Sequence, residues 1–416
     1  MYHVLRLRPS PRGPRLNALS DRHLLYVAAF TRALATGMIG VLLGVYLAEL
    51  GRSPRTIGLV VSLGLAGAAA GTLLVTLRGD LFGNRTTLLL ATVLAVAGGA
   101  ALAVSDHPVV LALAAFFGMV NGMGRDRGAA LVVEQAALPA TVSDAERTMA
   151  FARYNVLQDV GHAAGGLLAG LPSVLGNLGA DHWLAFRGSV GVYAALSLVP
   201  LAAYLRLSPA IEQARVVRGA KLSESSRRVL WKISSLFAVD AVAGGFLTTA
   251  LLSFFFHARF SVGVGMIGAL FAAARMANAF SHLGAAWLAR RIGLVNTMVF
   301  THIPSSLLLV TVAYAPSFPV AAALFLLRES LVEMDVPTRQ SYVMAIVRPE
   351  ERRFASGVTH LVRLASWAVA PAFAGLMMQG ASLVVPLVVG AGLKIVYDVM
   401  LWRAFRHVRP PEEEAP

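Results

Sequence analysis

The feature that most constrains this chain is a series of long apolar runs that recur from residue 23 to residue 402. An apolar run of about 18 or more residues is long enough to cross a lipid bilayer as a helix. Charged residues make up 14% of the chain, whereas a soluble domain has about 25%. The sequence therefore predicts an all-α integral membrane protein.

We predict twelve transmembrane helices, arranged as two pseudo-symmetric six-helix bundles. Short connections rich in Gly, Pro, Asn or Asp separate most of the helices, and one longer basic linker separates the halves. The predicted spans are residues 23–49, 55–77, 86–104, 108–138, 147–175, 184–205, 230–257, 263–288, 294–314, 317–346, 353–379 and 382–403. The predicted organisation is a basic tail (1–22), an N-terminal bundle (23–205), a linker (206–229), a C-terminal bundle (230–403) and a second tail (404–416).

The formal net charge of +14 is explained by membrane topology rather than by nucleic-acid binding. Arg and Lys concentrate in the tails, in the linker and in alternate loops, and loops rich in these residues stay on the cytoplasmic side of a membrane. The first 22 residues lack the apolar segment of a signal peptide. We therefore expect both termini in the cytoplasm, the lipid bilayer as environment, no nucleic-acid partner and a monomeric protein.

The two halves resemble each other weakly. With a shift of 205 residues, DAER (144–147) falls on PEER (349–352), and Glu134 falls on Arg339. Near the start of each half, FTRALATG lies opposite AVDAVAGG, which sets Arg32 opposite Asp240. Parallel six-helix repeats, with a site between them near the middle of the bilayer, are typical of many secondary transporters.

The loop between spans two and three resembles the signature of a known protein family. The stretch TLRGDLFGNRTT between spans two and three is similar to the signature Gly-x-x-x-Asp-Arg-x-Gly-Arg-Arg of the major facilitator superfamily, since Asp80, Gly83 and Arg85 match it. The loop between spans eight and nine keeps Gly293 but has Arg290 at the Asp position. The resemblance covers essentially the whole chain. The stretch LVEMDVPTRQSYVMAIVRPEER also resembles a bacterial branch of mostly uncharacterised permeases.

The resemblance implies that spans one, four, seven and ten line a central cavity and that the halves rock about it. It assigns Asp80, Gly83 and Arg85 to conformational change, and we add Glu134 and Arg339 to that group. The expected function is secondary active transport of a small organic solute across the bacterial inner membrane by alternating access, as proton-coupled efflux. Uptake or exchange of a small anionic metabolite, bound by cavity arginines, is the alternative.

Ionisable residues inside membrane spans are costly and mark functional sites. The residues that we single out are Arg32, Arg125, Asp126, Arg127, Glu134, Asp159, Asp240, Arg275, Arg328, Glu329, Glu333, Asp335, Arg339 and Arg363. Basic and acidic members are equal in number, which favours internal ion pairs, whereas an anion site would show surplus arginine. The predicted substrate cavity contains Arg32, Arg125, Asp126, Asp240, Arg328, Asn121, Asn155 and Gln158.

Helix geometry refines the charged residues of span four. In a continuous helix Arg125 and Arg127 would point about 200° apart, and we assign Arg125 to the cavity. We predict the ion pairs Arg32–Asp126 and Asp240–Arg328, and we expect Arg32, Asp126, Asp240 and Glu329 to line one central cavity.

Span ten carries the expected proton-coupling residues. Glu329 and Glu333 are four residues apart and share a helix face, so one of them is expected to take up a proton, with Asp335 nearby. Pro337 predicts a kink in this span.

Other functional classes find no support in the sequence. The chain has no cysteine, its histidines are scattered, and it lacks the GxxxxGK[ST] loop of an ATP-driven protein. We therefore expect no metal and no cofactor, with the proton gradient as the energy source. No arrangement of a nucleophile and a base indicates an enzyme.

Overall fold

The computed structural model describes residues 15–126, 128–143, 146–209, 211, 224–336, 339 and 352–406. The helices of the N-terminal half are α1 (Arg15–Glu49), α2 (Pro54–Phe82), α3 (Asn84–Val104), α4 (Pro108–Phe117), α5 (Ala129–Ala137), α6 (Arg147–Leu168), α7 (Leu171–Asn177), α8 (His182–Leu196) and α9 (Leu198–Leu205), with a 3₁₀ turn at Leu138–Thr141. Those of the C-terminal half are α10 (Glu224–Gly245), α11 (Thr249–Phe260), α12 (Val264–Ile292), α13 (Leu294–Ala313), α14 (Phe318–Val332), α15 (Arg352–Gly380) and α16 (Val385–Phe405).

These helices form the twelve membrane spans that the sequence predicts. Within the described ranges, nine helical segments are long and apolar enough to cross a membrane. The spans that fall short of this are four, five and ten. Spans four and ten are also the two that carry most of the intramembrane charge.

The pseudo-symmetry of the halves is visible in backbone geometry. Helices α2 and α12 are each 29 residues long, and each ends at a glycine that precedes the next helix. Gly83 has φ 75° and ψ 158°, and Gly293 has φ 86° and ψ 163°, a region that is essentially restricted to glycine. Equivalent positions in this part of the chain are therefore 210 residues apart, five more than the shift that aligns DAER with PEER.

The expectation of a continuous helix for span four is wrong. Helix α4 ends at Phe117, α5 begins at Ala129, and the described backbone between them is not helical. Four glycines in FFGMVNGMGRDRGAAL weaken the helix, because glycine loses the most conformational entropy on ordering. Arg125 therefore does not lie on a helix, so the predicted angle between it and Arg127 is wrong, and Arg127 lies outside the described residues.

Span seven is also interrupted. Helix α10 ends at Gly245 and α11 begins at Thr249, and the Thr248 hydroxyl caps α11 by accepting a hydrogen bond from the backbone N–H of Leu251. Non-helical backbone at membrane depth is tolerated where protein or a cavity covers it. The breaks in spans four and seven meet each other, and each supplies hydrogen-bond partners for the other.

The halves pack closely at the end of the bundle remote from the chain termini. A Cβ atom at Gly44 would lie 1.9 Å from the carbonyl oxygen of Ala250, so α1 and α11 can approach only through glycine at this point. On α6, Gly166 lies against Gly268 of α12, whereas Asp159, two turns nearer the terminal end on the same face, is exposed. The interface is therefore closed at the remote end and widens toward the end that carries the termini.

Candidate functional site

A cavity of about 440 Å³ lies between the two halves. Among the described residues, the N-terminal half contributes Met123 and Arg125 to the lining of this cavity, and the C-terminal half contributes the other lining residues. The charged lining residues are Arg125, Arg275, Arg328, Arg339, Arg363, Lys394, Asp240, Glu329, Glu333 and Asp335. Six are cations and four are carboxylates, so the equal numbers seen over the spans do not hold at the cavity wall.

The cavity does not have the lining that the family resemblance implies. Spans four, seven and ten contribute to it, as expected, but spans eight, nine, eleven and twelve contribute as well. Span one lines a separate cavity of about 70 Å³, which includes Arg32 and Asp126. The expectation that Arg32, Asp126, Asp240 and Glu329 line one cavity is therefore wrong, because only the last two line the large one.

The break in span four sets the position of Arg125. The Asn121 amide donates to the carbonyl of Arg125 at 2.5 Å and its oxygen accepts from the backbone N–H of Met123 at 2.8 Å. The carbonyl of Gly122 accepts a hydrogen bond from the backbone N–H of Ala250 at 3.0 Å. The Thr249 hydroxyl donates to the carbonyl of Met123 at 2.8 Å. These bonds satisfy backbone groups that a broken helix would leave without partners in a low-dielectric setting.

Arginine pairs with each of the three acidic residues that the sequence assigns to proton coupling. Arg125 donates to Glu333 at 2.9 Å across the interface between the halves. Arg328 pairs with its neighbour Glu329, which also accepts from the Asn278 amide at 3.0 Å. Asp335 pairs with Arg339, four residues later.

The predicted pair Asp240–Arg328 is wrong. Asp240 instead accepts from Arg363 at 2.9 Å and from Lys394 at 3.0 Å, and Arg339 lies 3.5 Å away. Helix α10 packs against α15 and α16, so the Asp240 carboxylate meets cations of spans eleven and twelve. Arg328 is already neutralised within its own helix.

Arg275 differs from the other cavity cations. It has no carboxylate within 4.0 Å in the described part of the chain, and its guanidinium donates to the carbonyl of Gly124 at 3.3 Å. Phe271 and Phe325 line the same cavity. A guanidinium has five N–H donors, so Arg275 retains hydrogen-bonding capacity toward a cavity occupant.

The predicted pair Arg32–Asp126 is present and belongs to a larger buried cluster. Arg32 pairs with Asp126 and donates to Glu134 at 2.7 Å. The hydroxyls of Tyr154 and Tyr204 donate to the Glu134 carboxylate at 2.6 and 2.5 Å. Glu134, which the sequence assigns to conformational change, is the fully buried centre of this cluster.

The polar amides of the predicted cavity have different environments. Asn121 caps the span-four break and lines the small cavity. Asn155 is exposed on α6 and lines neither cavity, so its assignment is wrong. Gln158 is buried, lines neither cavity, and its Nε2 has no hydrogen-bond partner among the described residues.

The loop signature has a structural explanation. Gly83 provides the positive φ between α2 and α3. Arg85 donates to the carbonyls of Tyr204 at 3.3 Å and Leu205 at 2.5 Å, at the end of α9, where helix carbonyls lack partners from a further turn. The Tyr204 carbonyl also accepts from the backbone N–H of Leu207 at 3.3 Å. The side chain of Asp80 and all of Pro337 lie outside the described residues.

Three residues of the C-terminal half are absent from the sequence-based site. His302 in α13 contacts Asp398 and Lys394 of α16. Lys394 and Asp398 both lie inside the predicted span 382–403, where the rule that intramembrane charges indicate function also applies. His302 carries no such signal, because a single histidine in a helix is compatible with ordinary packing.

The family model described as Major Facilitator Superfamily matches residues 25–332. The chain belongs to this superfamily. It is 24% identical to an uncharacterized membrane protein of Saccharomyces cerevisiae, over 92% of this chain and 94% of the relative.

The solved structures of facilitators show the same fold. The nucleoside transporter NupG matches with a TM-score of 0.74 and 15% identity, over 93% of this chain and 99% of NupG. A bacterial homolog of the human lysosomal transporter Spinster, in an inward-facing and occupied conformation, matches with a TM-score of 0.73 and 15% identity, over 95% and 98% of the two chains. The facilitator described here is a multi-pass membrane transporter for a small molecule, and not an enzyme.

Proposed function

We propose that this facilitator is a secondary active transporter that carries a small organic anion across the bacterial inner membrane, with the proton gradient as its energy source. The observation that carries the proposal is the surplus of cations at the cavity wall, and above all Arg275, which lacks a carboxylate in the described part of the chain. Guanidinium groups bind carboxylates with paired, charge-assisted hydrogen bonds. The aromatic rings of Phe271 and Phe325 would face the apolar part of the solute.

Alternating access is supported by the interface between the halves. The glycine contacts of α1, α6, α11 and α12 close the remote end, and the interface widens toward the chain termini. With both termini in the cytoplasm, as the distribution of basic residues predicts, the cavity would load from the cytoplasm in this conformation. The Arg125–Glu333 pair crosses the interface and would break when the halves rock.

The experiment uses proteoliposomes that contain the purified protein. A panel of organic anions, cations and neutral solutes is tested for counterflow and for accumulation driven by an imposed pH gradient. We expect transport of an anion, inhibited by other anions, and a loss of about 10- to 150-fold in affinity for Arg275→Gln. Arg259→Gln, which removes a cation at the remote end of α11, is the matched control and should transport the anion as wild type does. Transport of cations alone would refute the proposal.

Export is the second candidate, since the function expected from the sequence is efflux and an exported solute would enter from the predicted cytoplasmic end. Alternating access exposes the cavity to both sides of the membrane in either direction of transport, so an interface that widens toward the cytoplasmic end is compatible with both. Proteoliposomes with the protein in a single orientation distinguish the two directions. Accumulation that runs against the proton flow would indicate efflux, whereas accumulation in the same direction as the protons would indicate uptake.

A further inference from the structure

A chain of hydrogen bonds leads from the cavity wall into the C-terminal half. Asp240 Oδ1 accepts from Lys394 Nζ at 3.0 Å, Lys394 Nζ lies 3.1 Å from His302 Nε2, and His302 Nδ1 lies 2.9 Å from Asp398 Oδ1. The first three residues line the cavity, whereas Asp398 is fully buried behind them. The chain therefore joins spans seven, nine and twelve.

The chemistry of the donors assigns the proton on His302. An ammonium ion donates hydrogen bonds and accepts none, so the Nε2 atom that faces Lys394 accepts. The ring proton is then on Nδ1, where it donates to Asp398. In this arrangement His302 is neutral, and its one lone pair, on Nε2, accepts from Lys394 on the cavity side.

The fixed charges around His302 cancel. Lys394 and Asp398 face it from α16, together with the ring of Tyr397 at 6.2 Å, and Asp240 faces Lys394 from α10. Arg363 and Arg339 face Asp240, and Asp335 pairs with Arg339. On α14, which also packs against α13, Arg328 and Glu329 neutralise each other. The surrounding cluster thus has three cations, Arg339, Arg363 and Lys394, and three carboxylates, Asp240, Asp335 and Asp398.

We propose that His302 is the group that binds the transported proton, a step that rests on the proposed function. Lys394 turns away from Nε2 while it keeps Asp240, and an acid that enters the cavity, such as a hydronium ion, gives its proton to Nε2. The Nε2–H bond forms as the O–H bond of the acid breaks, and Lys394 keeps its three protons. Asp398 Oδ2, which is buried without a hydrogen-bond partner among the described residues, has free capacity to stabilise the imidazolium.

Proton loading links His302 to the solute. The cluster is neutral before the proton binds and has one uncompensated positive charge afterwards. Such a charge is costly in a low-dielectric interior, and an organic anion in the adjoining cavity compensates it. Because coupling between two sites is reciprocal, the anion and the proton bind together. His302 therefore makes the protein a proton–anion symporter, whereas export by antiport requires the two ligands to compete.

The first test needs no ligand. The full chain, labelled with ¹⁵N-histidine, is titrated in detergent micelles by NMR, and the resonances that disappear in His302→Gln identify His302. We expect the Nδ1–H form before proton uptake and protonation of both ring nitrogens when the pH is lowered, and we expect Asp398→Asn to change this response. His257→Gln, at the remote end of α11, is the control and should leave these resonances unchanged. A His302 ring that does not take up a second proton would overturn the proposal.

The second test measures the linkage with benzoate as the probe. Tryptophan fluorescence reports binding, because one of the five tryptophans, Trp367, lines the cavity. Wild type should bind benzoate about 5- to 150-fold more tightly at the lower pH, and His302→Gln should bind it with little dependence on pH. An unchanged pH dependence in His302→Gln would overturn the proposal. If wild type binds neither benzoate nor any other anion, the proposed function fails, and the titration still decides whether His302 takes up the proton.

Discussion

Each half of the molecule buries a cluster of charged side chains, one around Glu134 and the other around Asp240. In the N-terminal half, one cation, Arg32, is shared by Glu134 and Asp126 in the described part of the cluster. The hydroxyls of Tyr154 and Tyr204 supply the remaining donors to Glu134. This cluster borders a cavity of about 70 Å³.

The cluster of the C-terminal half is built differently. Asp240 accepts from a lysine and from an arginine, and the lysine also contacts a histidine. The cluster borders a cavity of about 440 Å³, and the Oδ2 atom of Asp398 has no hydrogen-bond partner among the described residues. The C-terminal cluster therefore contains His302, which can change its charge, next to an open cavity. It also contains Asp398 Oδ2, which can accept a further hydrogen bond.

The cluster around Glu134 is therefore structural, whereas the cluster around Asp240 can respond to protons and to a bound solute. Phenol hydroxyls hold the Glu134 carboxylate without adding charge, and every oxygen of Glu134 has a donor. Such a network is rigid when all of its members are satisfied. The following substitutions test this separation, because the first cluster should control stability and the second should control the response to pH.

Arg32→Met should have the largest effect on stability. It leaves the carboxylates of Glu134 and Asp126 buried without their cation, which costs about 3–5 kcal/mol. The measurement is the free energy of unfolding in detergent, followed by circular dichroism. Arg275→Met is the matched control, because no carboxylate lies within ion-pair distance of Arg275 in the described part of the chain. Equal losses in the two variants would contradict a structural role for the N-terminal cluster.

Asp240→Asn should cost somewhat less, about 3 kcal/mol, because Lys394 loses its carboxylate but the amide oxygen can still accept from Lys394 or Arg363. Arg339 keeps Asp335, and the guanidinium of Arg363 remains 4.8 Å from the ring of Trp367. The substitution also gives the cluster a permanent positive charge. We therefore expect benzoate binding to become nearly independent of pH. A pH dependence like that of wild type would show that the charge of this cluster does not control the cavity.

The turns at Gly83 and Gly293 are related by the pseudo-symmetry and provide a control for the comparison of the two halves. Gly83→Ala and Gly293→Ala should each cost about 1–3 kcal/mol, since both place a side chain in a region that is essentially restricted to glycine. Gly392→Ala, where an added Cβ would meet no atom within 4 Å, should cause no loss. Thermal unfolding of the three variants checks this. A large difference between the stability losses of the two turn variants would mean that the surroundings of the two glycines differ in effect despite their equal backbone geometry.

Much of the fold could be predicted from the sequence, because apolar runs of membrane length and basic loops are local signals. The span-four break could not be predicted by periodicity alone. Gly118, Gly122, Gly124 and Gly128 are compatible with a weak helix or with none. The outcome depends on partners far along the chain, such as Ala250, whose N–H pairs with the Gly122 carbonyl.

The site could be predicted in part for the same reason. Arg32–Asp126 follows from opposite charges in neighbouring spans. Asp240 had several candidate cations, and the choice of Arg363 and Lys394 depends on how α10 packs against α15 and α16. The count over whole spans also conceals the surplus at the cavity wall, since it omits Lys394 and includes carboxylates that lie elsewhere, such as Asp126 and Glu134.

Tyr154→Phe should have the smallest effect and gives the sharpest distinction between the clusters. It removes one hydroxyl that donates to Glu134 at 2.6 Å, at a cost of about 1 kcal/mol, because Arg32 and Tyr204 still donate to the same carboxylate. The pH dependence of benzoate binding should equal that of wild type, in contrast to Asp240→Asn. If Tyr154→Phe altered this pH dependence, the N-terminal cluster would also take part in proton binding, and the separation of roles between the halves would be wrong.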